Sequence, residues 1–173
     1  MDSDGYSQKQ LDDLFMDMIA YYDGDPKRIQ HFTKVHSYAR LIGVGESLDD
    51  TSLFILEAAA YTHDIGIRVA EEKYGKCDGK LQEQEGPVEA HQILSELGFE
   101  NYQIDRICYL IGHHHTYDNI DGMDYQILVE ADFLVNLYED EAGQAALRKA
   151  YNNVFKTESG RAIFRTMFGF SEE

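Results

Sequence analysis

At 173 residues the chain is long enough to bury a sizeable core and short enough to be read as a single domain, 1–173. It is 43% hydrophobic and 27% charged, ordinary for a globular protein, with no low-complexity tract, linker or internal repeat. A net charge of −17 repels nucleic-acid polymers, and the most apolar run, Leu53 to Tyr61, is too short to span a bilayer, so neither polymer nor membrane is an expected partner.

In chain order, residues 8–22 predict an amphipathic helix, with Leu11, Leu14, Phe15, Met18, Ile19 and Tyr22 at helical spacing. Asp23-Gly24-Asp25-Pro26 is a stop followed by a start, because Asp25 can cap and Pro26 suits the first helical position. The second helix runs from about Pro26 to Gly43 on a stripe of Ile29, Phe32, Val35, Ala39 and Ile42, with His31 and His36 on its two flanks. Arg28 lies one turn before His31, either pairing with a carboxylate or facing solvent.

Asp49 or Asp50 can cap a third helix, 51–63, that is apolar nearly all round and therefore central to the fold. It ends at His63-Asp64, with Gly66 just beyond as a terminator. Residues 67–86 are polar and less regular, and they carry Arg68, Lys73, Lys76 and Lys80. That local basic cluster is either a phosphate-meeting surface or a solvated loop.

Gly86-Pro87 starts a fourth helix that Gly98 ends, and His91 on it reads as a surface histidine. Asn101 can cap a fifth, which places Ile104, Ile107, Cys108 and Ile111 on one face and runs into Gly112-His113-His114-His115. Asp124 can cap a sixth, about Tyr125 to Tyr138. On it Asp132 follows Leu128 by four and precedes Val135 by three, so a carboxylate projects from the buried face and needs a partner. Two further helices, from about Glu141 to Phe168, close the bundle. No segment alternates as a strand does; the fold class is all-α, a bundle of about seven or eight helices. The cysteines, Cys77 and Cys108, form no CxxC and no disulfide framework. The acidic N-terminus is not a signal peptide, so the cytoplasm is the expected compartment.

The His63-Asp64 pair at the end of an apolar helix is costly unless something uses it, and a divalent cation is the simplest user. The order of His on the second helix, His-Asp ending the third and Asp on the apolar face of the sixth resembles the HD-domain superfamily of metal-dependent phosphohydrolases. The matching segments are Arg28-Ile-Gln-His31-Phe-Thr-Lys-Val35, Ala60-Tyr-Thr-His63-Asp64-Ile-Gly66 and Glu130-Ala-Asp132-Phe-Leu-Val-Asn136. The resemblance covers a core of about 26–140, leaving the first helix and the C-terminal pair as additions.

The resemblance implies metal ligands His31, His63, Asp64 and Asp132. It selects His31 over His36 because the ligand stands four residues before a Val, here Val35. Two departures stand out. Where two-metal members carry a further histidine, this chain has Glu85, an alternative oxygen ligand; where many have lysine after His-Asp-Ile-Gly, it has Ile67, with Arg68 next as its replacement. His114 and His115 are the candidates for a second metal or a substrate phosphate, set against plain capping of a helix C-terminus. Lys80 is a further phosphate candidate.

The implied activity is a phosphohydrolase with one or two divalent cations (Mn, Fe, Ni, Co, Zn or Mg). Asp64 would serve as ligand and water-orienting group, with Arg68 or Lys80 beside the histidines on the phosphate. The implied partner is a small phosphorylated substrate, a nucleotide by the resemblance, with a homodimer left open. The alternatives are a non-catalytic metal- or nucleotide-binding regulatory module and a di-iron oxygenase of HD type.

Overall fold

The structure is a computed structural model that describes residues 8–172. Its described elements are all helical: α1 (Gln8–Tyr21), α2 (Pro26–Gly45), α3 (Asp50–Thr62), α4 (Gly66–Tyr74), α5 (Gly79–Glu96), α6 (Asn101–Ile111), α7 (Met123–Glu139), α8 (Gln144–Asn153) and α9 (Glu158–Phe168). No described residue is in a strand, and no described helix is long and apolar enough to cross a membrane.

The apolar character of α3 becomes its place in the middle. Every residue from Phe54 to Thr62 is buried, with α1, α2, α6 and α7 packed around it. Asp49 is its cap, accepting the Ser52 N–H at 2.9 Å. Asp25 caps α2 by accepting the Arg28 N–H at 3.2 Å, with Pro26 in the first turn. Two other caps differ from expectation. Glu100, not Asn101, caps α6 in a reciprocal box with Gln103. Gly122 precedes α7, and Asp124 is spent on the Arg106 guanidinium at 2.7–2.8 Å.

The largest departure is the stretch 67–86, expected to be irregular. It forms α4 and the first half of α5, and Gly86-Pro87 lies inside α5 rather than at its start. Gly66 begins α4 rather than ending α3. A Cβ on Gly66 would sit 2.6 Å from the Gln82 carbonyl oxygen and 2.7 Å from the Gly86 nitrogen. The two helices cross backbone to backbone, and that contact requires glycine.

Two polar devices tie the outer helices down. Tyr22 donates its hydroxyl to the Asp64 carbonyl at 2.7 Å and Tyr21 to that of Ile65 at 3.2 Å, so α1 pins the turn after α3. Glu130, fully buried on α7, accepts from Gln126, from the Lys156 and Thr157 N–H groups and from the Thr157 hydroxyl, which docks the start of α9. Cys77 and Cys108 are free thiols, and Cys108 packs with its Sγ 3.4 Å from the Pro87 carbonyl.

Candidate metal centre

Four elements deliver side chains to one point. His31 stands in the second turn of α2, His63 and Asp64 in the turn after α3, His114 just past α6, and Asp132 on the buried face of α7. His31 Nε2 lies 3.3 Å from His63 Nε2, 3.3 Å from Asp64 Oδ2 and 3.2 Å from Asp132 Oδ1. His63 Nε2 lies 3.4 Å from each of the same two oxygens. Donor atoms bound to one ion at about 2.0–2.2 Å in a tetrahedron sit about 3.3–3.6 Å apart, and the observed spacing is close to that.

Protonation sharpens the fit. His63 Nδ1 donates to the Ala60 carbonyl at 2.8 Å and His114 Nδ1 to the Ile111 carbonyl at 2.7 Å. A carbonyl oxygen only accepts, so each Nδ1 carries the proton. His31 Nδ1 donates in the same way to Glu139 Oε2 at 2.9 Å. In the neutral rings all three lone pairs are therefore on Nε2, and all three Nε2 atoms turn inward. His31 and His63 then face each other lone pair to lone pair, which a cation between them would relieve. His114 is 1% exposed, and its Nε2, 3.4 Å from Asp64 Oδ1, has no hydrogen-bond partner among the described residues. A buried imidazole nitrogen left without a donor and pointing at a carboxylate is placed as a metal ligand would be.

The charges agree with that. Burial resists protonation of His31 and His63, but the Asp64 and Asp132 carboxylates outweigh it, and both imidazoles are held above their usual range, His63 well above. Burial likewise works against the charge on Asp64 and Asp132, yet the imidazoles hold both below the usual carboxylate range. The cluster calls for positive charge at its centre. His115 behaves differently: burial and the neighbouring His114 push it down to about 4, so it is neutral and available as a ligand.

Two donor groups result. His31, His63 and Asp64 form one, with Asp132 against both of its imidazoles; Asp64, His114 and His115 form the other. Asp64 belongs to both, through Oδ2 and Oδ1. The buried His/Asp cluster could hold a metal ion. Nitrogen and carboxylate ligation suits several divalent metals alike.

The other expected site residues lie elsewhere. Arg68 is exposed on α4, donating to Glu72 and to the Tyr21 carbonyl at 2.6 Å. Glu85 is held by Lys73 at 2.5 Å and by the Tyr74 hydroxyl at 2.8 Å. Lys80 is exposed at the start of α5, outside the cavity over the centre. Lys76 likewise lies 3.7 Å from Asp78, so Arg68, Lys73 and Lys76 each have a carboxylate neighbour on the surface. His36 pairs with Glu57 at 3.0 Å and stacks on Tyr61, His91 is exposed, and His113 stacks on Tyr109 while donating to its carbonyl. None of these three belongs to the centre.

Sequence reasoning missed Glu139 and Asn136. Asn136 donates to Asp132 Oδ1 at 2.9 Å, and Glu139 orients His31 while pairing with Lys34 at 2.7 Å. Both lie on the face of Asp132, four and seven residues on, and that periodicity was the available signal. The cations that do line the cavity, of about 310 Å³, are Lys27 and Arg28. Arg28 is braced by Asp25 at 3.0 Å and Glu71 at 2.7 Å. No protein-family model matches the chain, and neither does a curated protein or a solved structure.

Proposed function

We propose that the protein is a metal-dependent phosphohydrolase acting on a small phosphate ester. The observation that carries this is the orphaned His114 Nε2 beside an Asp64 whose second oxygen meets His31 and His63. His31, His63, Asp64 and Asp132 would hold one ion, and Asp64, His114 and His115 a second. A divalent ion bound there supplies Lewis acidity and brings the pKa of a bound water towards neutrality.

The chain's own residues do the rest. The Asp64 carboxylate accepts a hydrogen bond from the attacking water and orients it. Asn136 keeps Asp132 in place, and Glu139 keeps the His31 proton on Nδ1. Lys27 and Arg28 replace the expected Arg68 and Lys80 as the cations facing a substrate phosphate, where positioning and charge stabilisation supply most of the catalysis.

The test measures bound metal and phosphate release for wild type and Asp64→Ala across a panel of phosphate esters with Mn²⁺ added. Asp64→Ala should lose both metal and turnover. A variant that keeps full activity sinks the assignment. The second donor group equally suits a dinuclear oxygen-activating centre; two irons per chain with an oxygen-dependent optical change, and no phosphate release, would favour that reading instead.

A further inference from the structure

The cavity over the centre is bounded by the start of α2, by Ile67 of α4 and Gln82 of α5, and by the end of α7. Its chemistry is one-sided. Among the described residues no Phe or Tyr lines it, and Ile67 is its one aliphatic side chain. The two imidazoles on its wall, His31 and His115, are committed to the donor groups. A nucleobase would find no ring to stack on and no apolar slot, which are the usual sources of its binding energy.

What the wall offers is hydrogen-bond acceptors. Five carboxylates line it, from Asp25, Asp64, Asp132, Glu139 and Asp140, with the amides of Asn136 and Gln82. A carboxylate has about four acceptor positions, so even Asp25 and Glu139, each already engaged, can take another donor. Asp140 is exposed at the end of α7, facing the opening. Against these stand Lys27 and Arg28, so the described residues of the wall carry three net negative charges before any cation binds. One or two divalent ions bring it to near neutrality. A phosphate monoester, at roughly −1.5 to −2, is then tolerated, while a di- or triphosphate meets uncompensated carboxylates at the opening.

We propose that the ligand of this cavity is the monophosphate of a small polyhydroxylated molecule, a sugar or polyol, rather than a nucleotide or polyphosphate. Its hydroxyls donate to Asp25, Asn136 and Asp140 while its phosphate meets Lys27, Arg28 and the metal centre. This narrows, and rests on, the phosphohydrolase reading.

The experiment uses the full chain loaded with Mn²⁺. A series of triose to hexose monophosphates is compared with AMP and ATP for phosphate release, and for binding by titration calorimetry. The expected result is a kcat/KM for at least one sugar monophosphate about tenfold or more above that for AMP, and higher still above ATP. Asp140→Lys should narrow the gap between ATP and the preferred sugar monophosphate by about tenfold, because it reverses a charge at the opening. AMP or ATP turned over as well as every sugar monophosphate would overturn the inference and leave the phosphohydrolase standing. No release from any ester, with a sugar monophosphate still bound more tightly than AMP, would remove the hydrolase reading and retain the ligand class. Neither release nor binding would end both.

Discussion

The three inward-facing imidazoles are fixed in two different ways. His63 and His114 sit just past helix ends, where a carbonyl three residues back is free to accept from Nδ1. No substitution can remove those acceptors. His31 lies inside a helix, where the backbone carbonyls are already engaged, and a side chain, Glu139, does the same work. Glu139 also makes the ring a better donor, as a carboxylate behind a ligating histidine does. Glu139→Gln should therefore weaken metal binding about 10- to 100-fold, measured by competition with a chromophoric chelator. Unchanged affinity would reduce Glu139 to a surface ion pair with Lys34. Asp132 stood out because an ionisable group occupies a position the pattern gives to an apolar one, and His63-Asp64 because the pair ends an apolar helix, whereas His31, on the flank of its stripe, was selected only by the resemblance. Glu139 breaks no such pattern, since an acid at a helix end followed by Asp140 and Glu141 reads as surface. Burial alone does not mark a ligand either. Glu130, two residues before Asp132 and just as deep, is consumed by four donors from its own helix and the segment leading into α9.

At the scale of elements, α1, α4 and α5 exist at the site mainly to place one carboxylate. Asp64 sits between a turn tied to α1 by Tyr22 and a helix start wedged against α5 by Gly66. Tyr22→Phe should cost about 1–2 kcal/mol, since it leaves the Asp64 carbonyl short of its buried donor. Equilibrium denaturation would read this. Gly66→Ala is predicted to be worse for function than for stability. The new Cβ meets backbone atoms at 2.6 and 2.7 Å that have no flexible end to yield, so α4 must shift and carry Asp64 with it. A loss of about 1–3 kcal/mol is expected, together with weakened metal binding. Gly86→Ala meets the buried Ile111 Cγ2 at 2.6 Å instead, a core side chain rather than the backbone that carries Asp64, so it should disturb metal binding less. Should the two variants bind metal equally well, the crossing does not position Asp64. This was the least legible part of the chain. Residues 67–86 carry no broad apolar stripe, because α4 is short and spends its polar face on ion pairs with its neighbours. Gly86-Pro87 looks like a helix start by every local signal. The glycine is there for the crossing with α4, and tertiary packing carries α5 through the proline despite the lost hydrogen bond.

On the scale of the whole molecule, the centre joins α2, the α3 turn, the end of α6 and α7, helices that otherwise meet through apolar side chains. The central place of α3 and the all-α class were readable from periodicity alone, because a helix apolar on every side must be enclosed by others. The convergence of four distant segments on one point was not a matter of periodicity; only the types of residue suggested it. A ligand that binds the folded state and not the unfolded chain stabilises by mass action. At a free concentration one hundred times its Kd, a divalent ion should add about 2.7 kcal/mol. For a chain of this size that corresponds to a rise in Tm of about 5–10 °C. Thermal unfolding of chelator-treated protein with Mn²⁺, Fe²⁺, Co²⁺, Ni²⁺ or Zn²⁺ added back measures this directly. The rise should disappear in Asp64→Ala, which breaks both donor groups, and shrink but persist in His114→Ala, which breaks only the second. If no ion moves the wild-type Tm, the metal centre is wrong. If His114→Ala keeps the full wild-type rise, the second ion is to be abandoned while the first is kept; if it loses the rise altogether, as Asp64→Ala does, the two groups are not separate sites.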